Sequence, residues 1–406
     1  MNVIMISPGF PAEMPHFARG LREVGASTLG LGDTPLGALD PLARASLDAY
    51  MQVPNLWDEL SVVEAVKQRV AGQTINRVEC LWEPGMVLAA RLREALGVRG
   101  LNVEQTIPFR DKVVMKEVLA AAGLRIPKFA RARNAQEMKD AAVHTGFPLI
   151  IKPVDGAGSA DTYTCRNQAE LENAMRMTRA VPEMTVEEFI EGEEYTFDTV
   201  CADGRILFEN VAWYRPKPLV ARLNDWISPQ CICLRDLDAP DIAKGRELGR
   251  AVLKALGFRD GFAHMEWFLT PRGEAVFGEI GARAPGARLV HMMNYACDID
   301  LFVGWAEAVC RGRLSQDVSK KYNAAMIFKR ASGPGSIITR IEGMEALWND
   351  YGEHVCNLEI ARVGEARRDS KKVLVGDGWI ACRHPDLAFA TEMADRFAAE
   401  LALYAD

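Results

Sequence analysis

Two glutamates on either side of a short turn are the residues of this sequence with the clearest potential for chemistry. Glu266 and Glu279 flank residues 271–273, Pro-Arg-Gly, which are typical of a hairpin turn. A two-residue turn there predicts that Glu266 pairs with Glu279, with Cβ atoms about 5 Å apart, and that Phe268 pairs with Phe277 beside them. Opposed carboxylates on a partly apolar face favour a bound cation, and oxygen-only ligands favour Mg²⁺ or Mn²⁺. An exposed pair, or two carboxyls that share a proton, is the alternative.

A lysine followed by a glycine-rich loop has the composition of a phosphate-binding site. Lys152 ends an apolar run, and Gly156, Gly158 and Ser159 lie in the loop that follows it. Glycines let backbone N–H groups approach an anion closely, and a lysine adds a point charge. An ordinary glycine-rich turn beside a surface lysine would have the same composition.

Two more lysines lie at the start of a predicted helix over residues 111–122. Lys112 and Lys116 are four residues apart, so they share one face of that helix. Lys112 lies next to the helix start, whereas Lys116 lies one turn further along and is predicted to face solvent. A fully solvated face is the alternative for both.

An acidic strand–turn–strand segment over residues 186–195 could bind a nucleoside. Glu187 and Ile190 precede a turn at Gly192, and Glu194 follows it. Backbone groups at such a strand end can hydrogen-bond the edge of an adenine, and a carboxylate after the turn can bind a ribose hydroxyl. A solvated acidic sheet edge is the alternative.

The elements that must position these residues are predicted to form three domains. Residues 1–105 alternate short apolar strands with amphipathic helices, which indicates an α/β domain with a doubly wound parallel sheet. Residues 106–312 contain the segments described above, with a lid subdomain at about 124–190 and a strand predicted at 206–213. Residues 313–406 are predicted to form a small α+β domain with a terminal helix from about Pro385.

Composition excludes several classes of function. The net charge of −7 over 406 residues argues against nucleic acid as a partner. The nine cysteines show no CxxC or zinc-ligand spacing, which indicates reduced thiols in a cytoplasmic protein. No apolar stretch approaches 18 residues, so no membrane span is expected, and the first nine residues predict a buried strand rather than a signal peptide.

In this order and spacing, the four segments resemble the ATP-grasp superfamily over roughly residues 106–310. The resemblance implies an ATP-grasp fold between a Rossmann-like N-terminal domain and a small C-terminal α+β domain. It also implies that ATP and Mg²⁺ (or Mn²⁺) bind here. The implied ligands are Lys112, Lys152, Gly156, Gly158 and Ser159 for the phosphates, Glu187, the Ile190 backbone and Glu194 for the nucleoside, and Glu266 and Glu279 for the metal.

One position departs from the family pattern. Many members have asparagine, a further metal ligand, two residues after the second metal-binding glutamate, where this chain has Gly281. The resemblance therefore implies that water replaces this ligand. The following residues 282–286, together with His264, are similar to the branch that contains L-amino-acid ligases.

The activity implied by the resemblance is a carboxylate–amine ligase that forms a C–N bond through an acyl phosphate. Arg283 would clamp the anionic intermediate, and His264 would orient a substrate or act as a base; an ion pair and a satisfied strand histidine are the alternatives. The basic and aromatic segment 213–219, with Arg222 and Trp226, is expected to cover the acceptor site or to be merely exposed. The partners would be small-molecule carboxylates and amines, and a homodimer is possible.

Three other functions remain open from the sequence alone. An ATP-dependent carboxylase that uses bicarbonate and a purine-biosynthesis ligase would use the same nucleotide machinery. The chain contains no Met-Lys-Met biotin-carrier signal, which weakens the biotin-dependent case. A nucleotide-binding regulatory protein with a degenerate site is the alternative outside the enzymes, and Gly281 is its only support.

Overall fold

The structure is a computed structural model that describes residues 1–156, 161–368 and 376–406. Its helices are α1 (Met14–Glu23), α2 (Pro41–Ser46), α3 (Glu59–Arg69), α4 (Met86–Leu96), α5 (Val103–Thr106), α6 (Lys112–Ala121), α7 (Ala135–Thr145), α8 (Gln168–Met177), α9 (Pro218–Leu223), α10 (Pro240–Ala255), α11 (Leu289–Cys297), α12 (Leu301–Arg311), α13 (Met344–Tyr351) and α14 (Leu387–Glu400). Its strands are β1 (Asn2–Ile6), β2 (Ser27–Gly32), β3 (Ala49–Gln52), β4 (Arg77–Glu79), β5 (Phe129–Ala132), β6 (Leu149–Pro153), β7 (Tyr163–Cys165), β8 (Met184–Glu188), β9 (Glu193–Ala202), β10 (Arg205–Asn210), β11 (Ala212–Arg215), β12 (Gln230–Cys233), β13 (Gly261–Leu269), β14 (Ala275–Gly281), β15 (Asn323–Lys329), β16 (Arg340–Glu342), β17 (Val355–Ile360), β18 (Gly378–His384) and β19 (Ala402–Tyr404). None of the helices in these ranges is both long and apolar enough to cross a bilayer.

The N-terminal strands form the parallel sheet that the β-α rhythm predicts. The strand order is β3-β2-β1-β4, and every neighbouring pair is parallel. The chain passes from β1 to β2 on one side, whereas β4 pairs with β1 on the other side. The topological switch point therefore lies between β1 and β4, where the segments that follow the two strands diverge.

The segment predicted as a lid contains a four-stranded antiparallel sheet in the order β5-β8-β6-β7. Helices α7 and α8 begin with the same local device: Asn134 accepts a hydrogen bond from the N–H of Glu137, and Asn167 accepts one from the N–H of Glu170. Asparagine caps of this kind satisfy N–H groups that have no partner within the helix. β6 and β8 carry Lys152 and Glu187, so this sheet positions part of the charged site.

The largest sheet joins the middle and the end of the chain. It follows the order β14-β13-β9-β11-β12-β15-β18-β17, with β10 paired to β9. The strand predicted at 206–213 is wrong in its bounds, because the chain forms β10 and then β11, which pairs with β12. The predicted terminal helix corresponds to α14. From the last part of the chain, β15, β17 and β18 extend the large sheet, whereas β16 and β19 pair in a separate two-stranded sheet.

The hairpin of β13 and β14 has the predicted pairing at its centre but a different turn. Glu266 is opposite Glu279, as expected. The turn has three residues rather than two, since the N–H of Thr270 donates to the carbonyl of Glu274, and Phe268 pairs with Val276, not with Phe277. A bulge at Gly278 adds one residue to β14, and this restores the register of the two glutamates.

Gly278 is required at this bulge by a close approach of the two strands. A Cβ atom at this position would lie 2.9 Å from the carbonyl oxygen of Glu266. On the opposite face of the sheet, helix α10 packs equally closely, since a Cβ at Gly245 would lie 2.0 Å from the ring of Trp267. The packing of α10 thereby fixes the hairpin on one face of the sheet. His264 and Glu266 alternate with buried apolar residues along β13 and face the opposite side of the sheet.

Candidate active site

One cavity of about 570 Å³ lies where the N-terminal sheet, the lid sheet and the large sheet meet. All the predicted site residues that the structure describes line it. They are Lys112, Lys152, Gly156, Glu187, Ile190, Glu194, His264, Glu266, Glu279 and Arg283. Gly158 and Ser159 lie outside the described residues, so their predicted role stays a prediction.

A row of alternating charges crosses the floor of this cavity. Lys116 Nζ lies 2.8 Å from Glu187 Oε1, and Lys152 Nζ lies 3.1 Å from Glu187 Oε2. Lys152 Nζ also lies 3.6 Å from Glu279 Oε2, and Lys112 Nζ lies 3.5 Å from Glu279 Oε1. Three lysines thus alternate with two glutamates, and Lys112 also donates to the carbonyl of Gly156 in the glycine-rich loop.

The prediction that Lys116 faces solvent is wrong. Its side chain is 0% exposed, because α6 turns this face towards the lid strand β8 and its ammonium meets Glu187 there. Burial lowers the pKa of Lys116 to about 8 although Glu187 opposes the shift. Burial would likewise lower the pKa of Lys152, but Glu187 and then Glu279 raise it above its usual range.

The two opposed glutamates have different surroundings. Burial by itself would raise the pKa of Glu279, but Lys112 and Lys152, followed by Lys116, lower it to about 2. Glu279 is therefore a carboxylate held by cations even without a metal. The two opposed glutamates are thus not equivalent, because the lysines lie within 4 Å of Glu279.

The nucleoside end of the cavity contains the predicted Ile190 and Glu194. The N–H of Ile190 makes no backbone hydrogen bond with any described residue, so it can donate to a ligand. Burial first, and the nearby Glu266 second, raise the pKa of Glu194 to about 8. Gly192 allows the turn between β8 and β9, since a Cβ there would lie 2.2 Å from the carbonyl oxygen of Leu269. Glu187 was predicted at this nucleoside end, but its carboxylate pairs with Lys116 and Lys152.

His264 is oriented by a carboxylate that the sequence reasoning missed. Its Nδ1 lies 2.6 Å from Asp198 Oδ1, and Asp198 is fully buried and also accepts hydrogen bonds from Thr196 and Asn210. Burial by itself lowers the pKa of His264, but the hydrogen bonds with Asp198 and Glu266 raise it to about 9. This raised pKa favours the protonated form of His264, which suits a donor that orients a substrate; the role of a base stays a prediction.

Asp198 could have been found from a period-two pattern. Glu194, Thr196 and Asp198 occupy alternate positions of β9, where the only other buried polar residue is Thr199 on the opposite face. In the observed register Thr196 is opposite Glu266, and Asp198 is opposite His264. Side chains at alternate positions of a strand share one face of its sheet, so polar residues at this spacing indicate the face that borders the cavity.

Arg283 lies on the cavity wall within an ion-paired group. Its guanidinium donates to Glu83 Oε2 at 2.9 Å, and Arg110 pairs with the other oxygen of Glu83. Glu83 follows β4 at the edge of the N-terminal sheet, which is where ligands of such sheets bind. Sequence reasoning missed both Glu83 and Arg110. The triad carries one net positive charge towards the cavity, which suits an anion.

The basic and aromatic segment formed by β11 and the start of α9 borders the same cavity. Tyr214 and Arg222 line it, together with residues 216–219 at the start of α9. Arg330 donates to the carbonyls of Ala221 and Asn224 and so ties the end of α9 to β15. Trp226 is 82% exposed and does not line the cavity. Whether the segment covers an acceptor stays a prediction.

The donor set suits magnesium bound together with phosphates. Within the described ranges, no group of three or more His, Cys, Asp or Glu side chains is arranged to hold a metal ion. Gly281, opposite His264, adds no ligand. Two carboxylates, Glu266 and Glu279, are what Mg²⁺ typically takes from a protein when phosphate oxygens and water complete its shell. The residues present therefore fit a magnesium–nucleotide complex.

Comparison with known proteins agrees with this geometry. A model of the ATP-grasp domain matches residues 109–212. An L-arginine-specific L-amino acid ligase of Bacillus subtilis is 27% identical over 227 residues, which are 54% of this chain and 54% of that enzyme. The first two curated relatives are matched over 54% and 40% of their length, so the chain spans about half of them.

Solved structures extend the likeness over the whole chain. The crystal structure of an L-amino acid ligase from Bacillus licheniformis has a TM-score of 0.78 and 20% identity, and the match covers 100% of this chain and 98% of that one. The N5-carboxyaminoimidazole ribonucleotide synthetase of Thermotoga maritima has a TM-score of 0.71 and 18% identity, over 100% and 99% of the two chains. These identities show the fold alone. Residues 109–212 thus match the ATP-grasp domain, which agrees with the resemblance of the motifs, and the chain is similar to L-amino acid ligases.

Proposed function

We propose that this protein is an ATP-dependent ligase that activates a carboxylate, most simply an amino acid, as an acyl phosphate and joins it to an amine. The products are ADP, phosphate and a compound with a new C–N bond. The row of alternating charges carries the proposal: Lys112 and Lys152 lie within 4 Å of Glu279, in a cavity that Glu266 and Arg283 also line. The named activities of the similar ligases support it.

The reaction has two steps in which the residues have separate roles. In the first, a carboxylate oxygen of the substrate attacks the terminal phosphorus of ATP, and ADP leaves. Lys112 and Lys152 bind phosphate oxygens, while Glu266 and Glu279 would hold Mg²⁺, which neutralises charge on the phosphates when bound. In the second step, the amine nitrogen attacks the acyl carbon, the bond from carbon to the phosphate oxygen breaks, and phosphate leaves, while the nitrogen gives one proton to water or to the leaving phosphate.

Cationic groups on and just after the β13–β14 hairpin suit the anion formed between these steps. Arg283 is held by Glu83, so its guanidinium is positioned before any ligand arrives. His264 lines the same cavity, and its Nε2 atom, 3.6 Å from Glu266 Oε1, can donate to an oxygen of the acyl phosphate when the imidazole is protonated. Preorganised donors of this kind stabilise developing negative charge without having to reorient during the reaction.

The proposal is tested by a phosphate-release screen of pairs of amino acids with magnesium and ATP, followed by mass spectrometry. The expected result is ADP, phosphate and a product with the mass of both substrates less one water. Glu279→Gln serves as the control for contaminating ATPases, since it removes a proposed metal ligand. Release of ADP only with bicarbonate would favour a carboxylase, and no release with any pair would contradict the proposal.

The predictions of a homodimer and of a cytoplasmic location do not depend on this chemistry. A homodimer stays a prediction, which sedimentation of the purified protein tests by its mass. A cytoplasmic location also stays a prediction, and fractionation of cells that express the protein tests it.

A further inference from the structure

The cavity extends from the charged row to the switch point of the N-terminal sheet. Residues 7–13 follow β1 and residues 80–85 follow β4, and members of both segments line the cavity. In open parallel sheets, ligands bind outside the carboxyl ends of the strands at such a point. This end of the cavity is therefore placed to hold a substrate rather than the nucleotide.

Two carboxylates face this end, and they differ in their partners. Glu83 is neutralised by Arg110 and Arg283, which bond its two oxygens. Glu13 is only 5% exposed, and its Oε1 atom accepts a hydrogen bond of 2.9 Å from the N–H of Arg288. Glu13 forms no ion pair within the described part of the chain. A buried carboxylate without a cation is energetically costly, so a cationic ligand would stabilise Glu13.

Two helix starts lie beside the Glu13 carboxylate. Glu13 directly precedes α1, and Arg288, whose N–H it accepts, directly precedes α11. Helix N-termini favour a nearby anion through their unpaired N–H groups. The guanidinium of Arg288 lies over the ring of Trp379, 4.5 Å from its centre, so it is engaged away from Glu13. The negative charge of Glu13 is left to face the cavity.

We propose that Glu13 binds the ammonium group of an amino-acid substrate whose side chain is apolar. An ammonium is a compact cation with three donors, which suits one free carboxylate oxygen. Met14, Leu81 and Leu289 are buried beside it and form an apolar wall of the same cavity. The inference rests on the proposed function, because it assigns a subsite for one of the two substrates of the ligase.

A binding experiment tests this without turnover. The full-length protein, loaded with magnesium and a non-hydrolysable ATP analogue, is titrated calorimetrically with L-alanine, L-leucine and L-phenylalanine. The matched probes without the amine are propionate, 4-methylpentanoate and 3-phenylpropionate. At least one amino acid should bind about ten- to a hundred-fold more tightly than its matched acid, the ratio expected for a charge-assisted hydrogen bond.

The Glu13→Gln variant should bring this ratio to within about two-fold, because glutamine still accepts from the N–H of Arg288 but lacks the charge. Glu307→Gln is the matched control, since Glu307 is 6% exposed, bonds Ser315 and does not line the cavity. That variant should keep the wild-type ratio. If Glu13→Gln does not fold, the wild-type ratio decides alone.

The inference is overturned if none of the three amino acids binds, if the wild-type ratio is near one, or if Glu13→Gln preserves the ratio. Failure of the proposed function is a different outcome: amino acids would bind, yet no ADP and phosphate would form. Where turnover occurs, the Michaelis constant of the activated amino acid should rise in Glu13→Gln, because that substrate keeps its ammonium group throughout the reaction. The constant for ATP should stay unchanged.

Discussion

The coupling between Lys116 and Glu187 is the most decisive energetic prediction, because the two residues are 71 positions apart and Lys116 was predicted to face solvent. Their side chains are 0% and 5% exposed, and the two charged atoms lie 2.8 Å apart. A buried, charge-assisted hydrogen bond is worth about 1.5–3 kcal/mol. The variants Lys116→Met and Glu187→Gln, together with the double variant, should therefore show a coupling free energy of about 2–3 kcal/mol.

The assay is chemical denaturation of the four proteins at neutral pH without nucleotide. A matched control is the pair Lys67 and Glu64 on α3, with nearly the same distance, 2.9 Å, but side chains 45% and 63% exposed. Its coupling should not exceed about 0.5 kcal/mol. A coupling below about 0.5 kcal/mol for the buried pair would refute the assignment of this face of α6 to the interior.

The same pair has a defined pH dependence. The pKa of Lys116 falls from 10.5 to about 8 on folding, because burial disfavours the charged form. Between these values the unfolded chain binds more protons than the folded one, so this residue makes the free energy of unfolding rise with pH. Lys116→Met should remove that rise between pH 8 and 10.5, and an unchanged pH profile would contradict the burial of this lysine.

Three further predictions concern the hairpin and its neighbours. Gly278→Ala should lower the free energy of unfolding by about 1–3 kcal/mol and raise the magnesium requirement of turnover, because its Cβ displaces the carbonyl of Glu266. Glu279→Gln should lose about 1–3 kcal/mol of stability at neutral pH, and this loss should disappear as the pH falls from 4.5 to about 2. Glu266→Gln should change stability by less than about 1 kcal/mol. Both variants should lose turnover, and equal melting temperatures of the two would contradict this difference in stability. In Asp198→Asn, the pKa of His264 measured by NMR without metal should fall from about 9 towards 6.5, and an unchanged value would mean that Asp198 does not orient it.

The β13–β14 hairpin has the predicted pairing of Glu266 with Glu279, although the predicted turn length was wrong. Hairpin statistics predicted that Glu266 is opposite Glu279, and the structure has this pair. The assumed turn was one residue too short, and the bulge at Gly278 compensates for the difference. A bulge depends on how β14 meets its neighbours and on the packing behind it. No pattern within the hairpin alone could have predicted it.

The nucleotide-binding segments could be predicted from the sequence because each combines a characteristic residue type with the end of a strand or helix. Lys152 at the end of β6 and Glu279 in β14 are examples, and both line the cavity. The partners of His264 and Arg283 could not be predicted from the sequence. Asp198 meets His264 only through the strand register, and Glu83 meets Arg283 only through domain packing. Helical periodicity likewise placed Lys116 on the face of Lys112 but could not indicate whether that face is buried.

The central claim, phosphoryl transfer to a carboxylate, is tested most directly with a substrate whose carboxylate oxygens are ¹⁸O. If a carboxylate oxygen attacks the terminal phosphorus and the amine then displaces phosphate, one ¹⁸O atom must appear in the inorganic phosphate, with ADP as the nucleotide product. Mass spectrometry of the phosphate and chromatography of the nucleotide give both results from one reaction. Label in AMP, with pyrophosphate released, would show adenylation and would contradict the account. Unlabelled phosphate beside ADP would mean that ATP is hydrolysed by water and that no acyl phosphate forms.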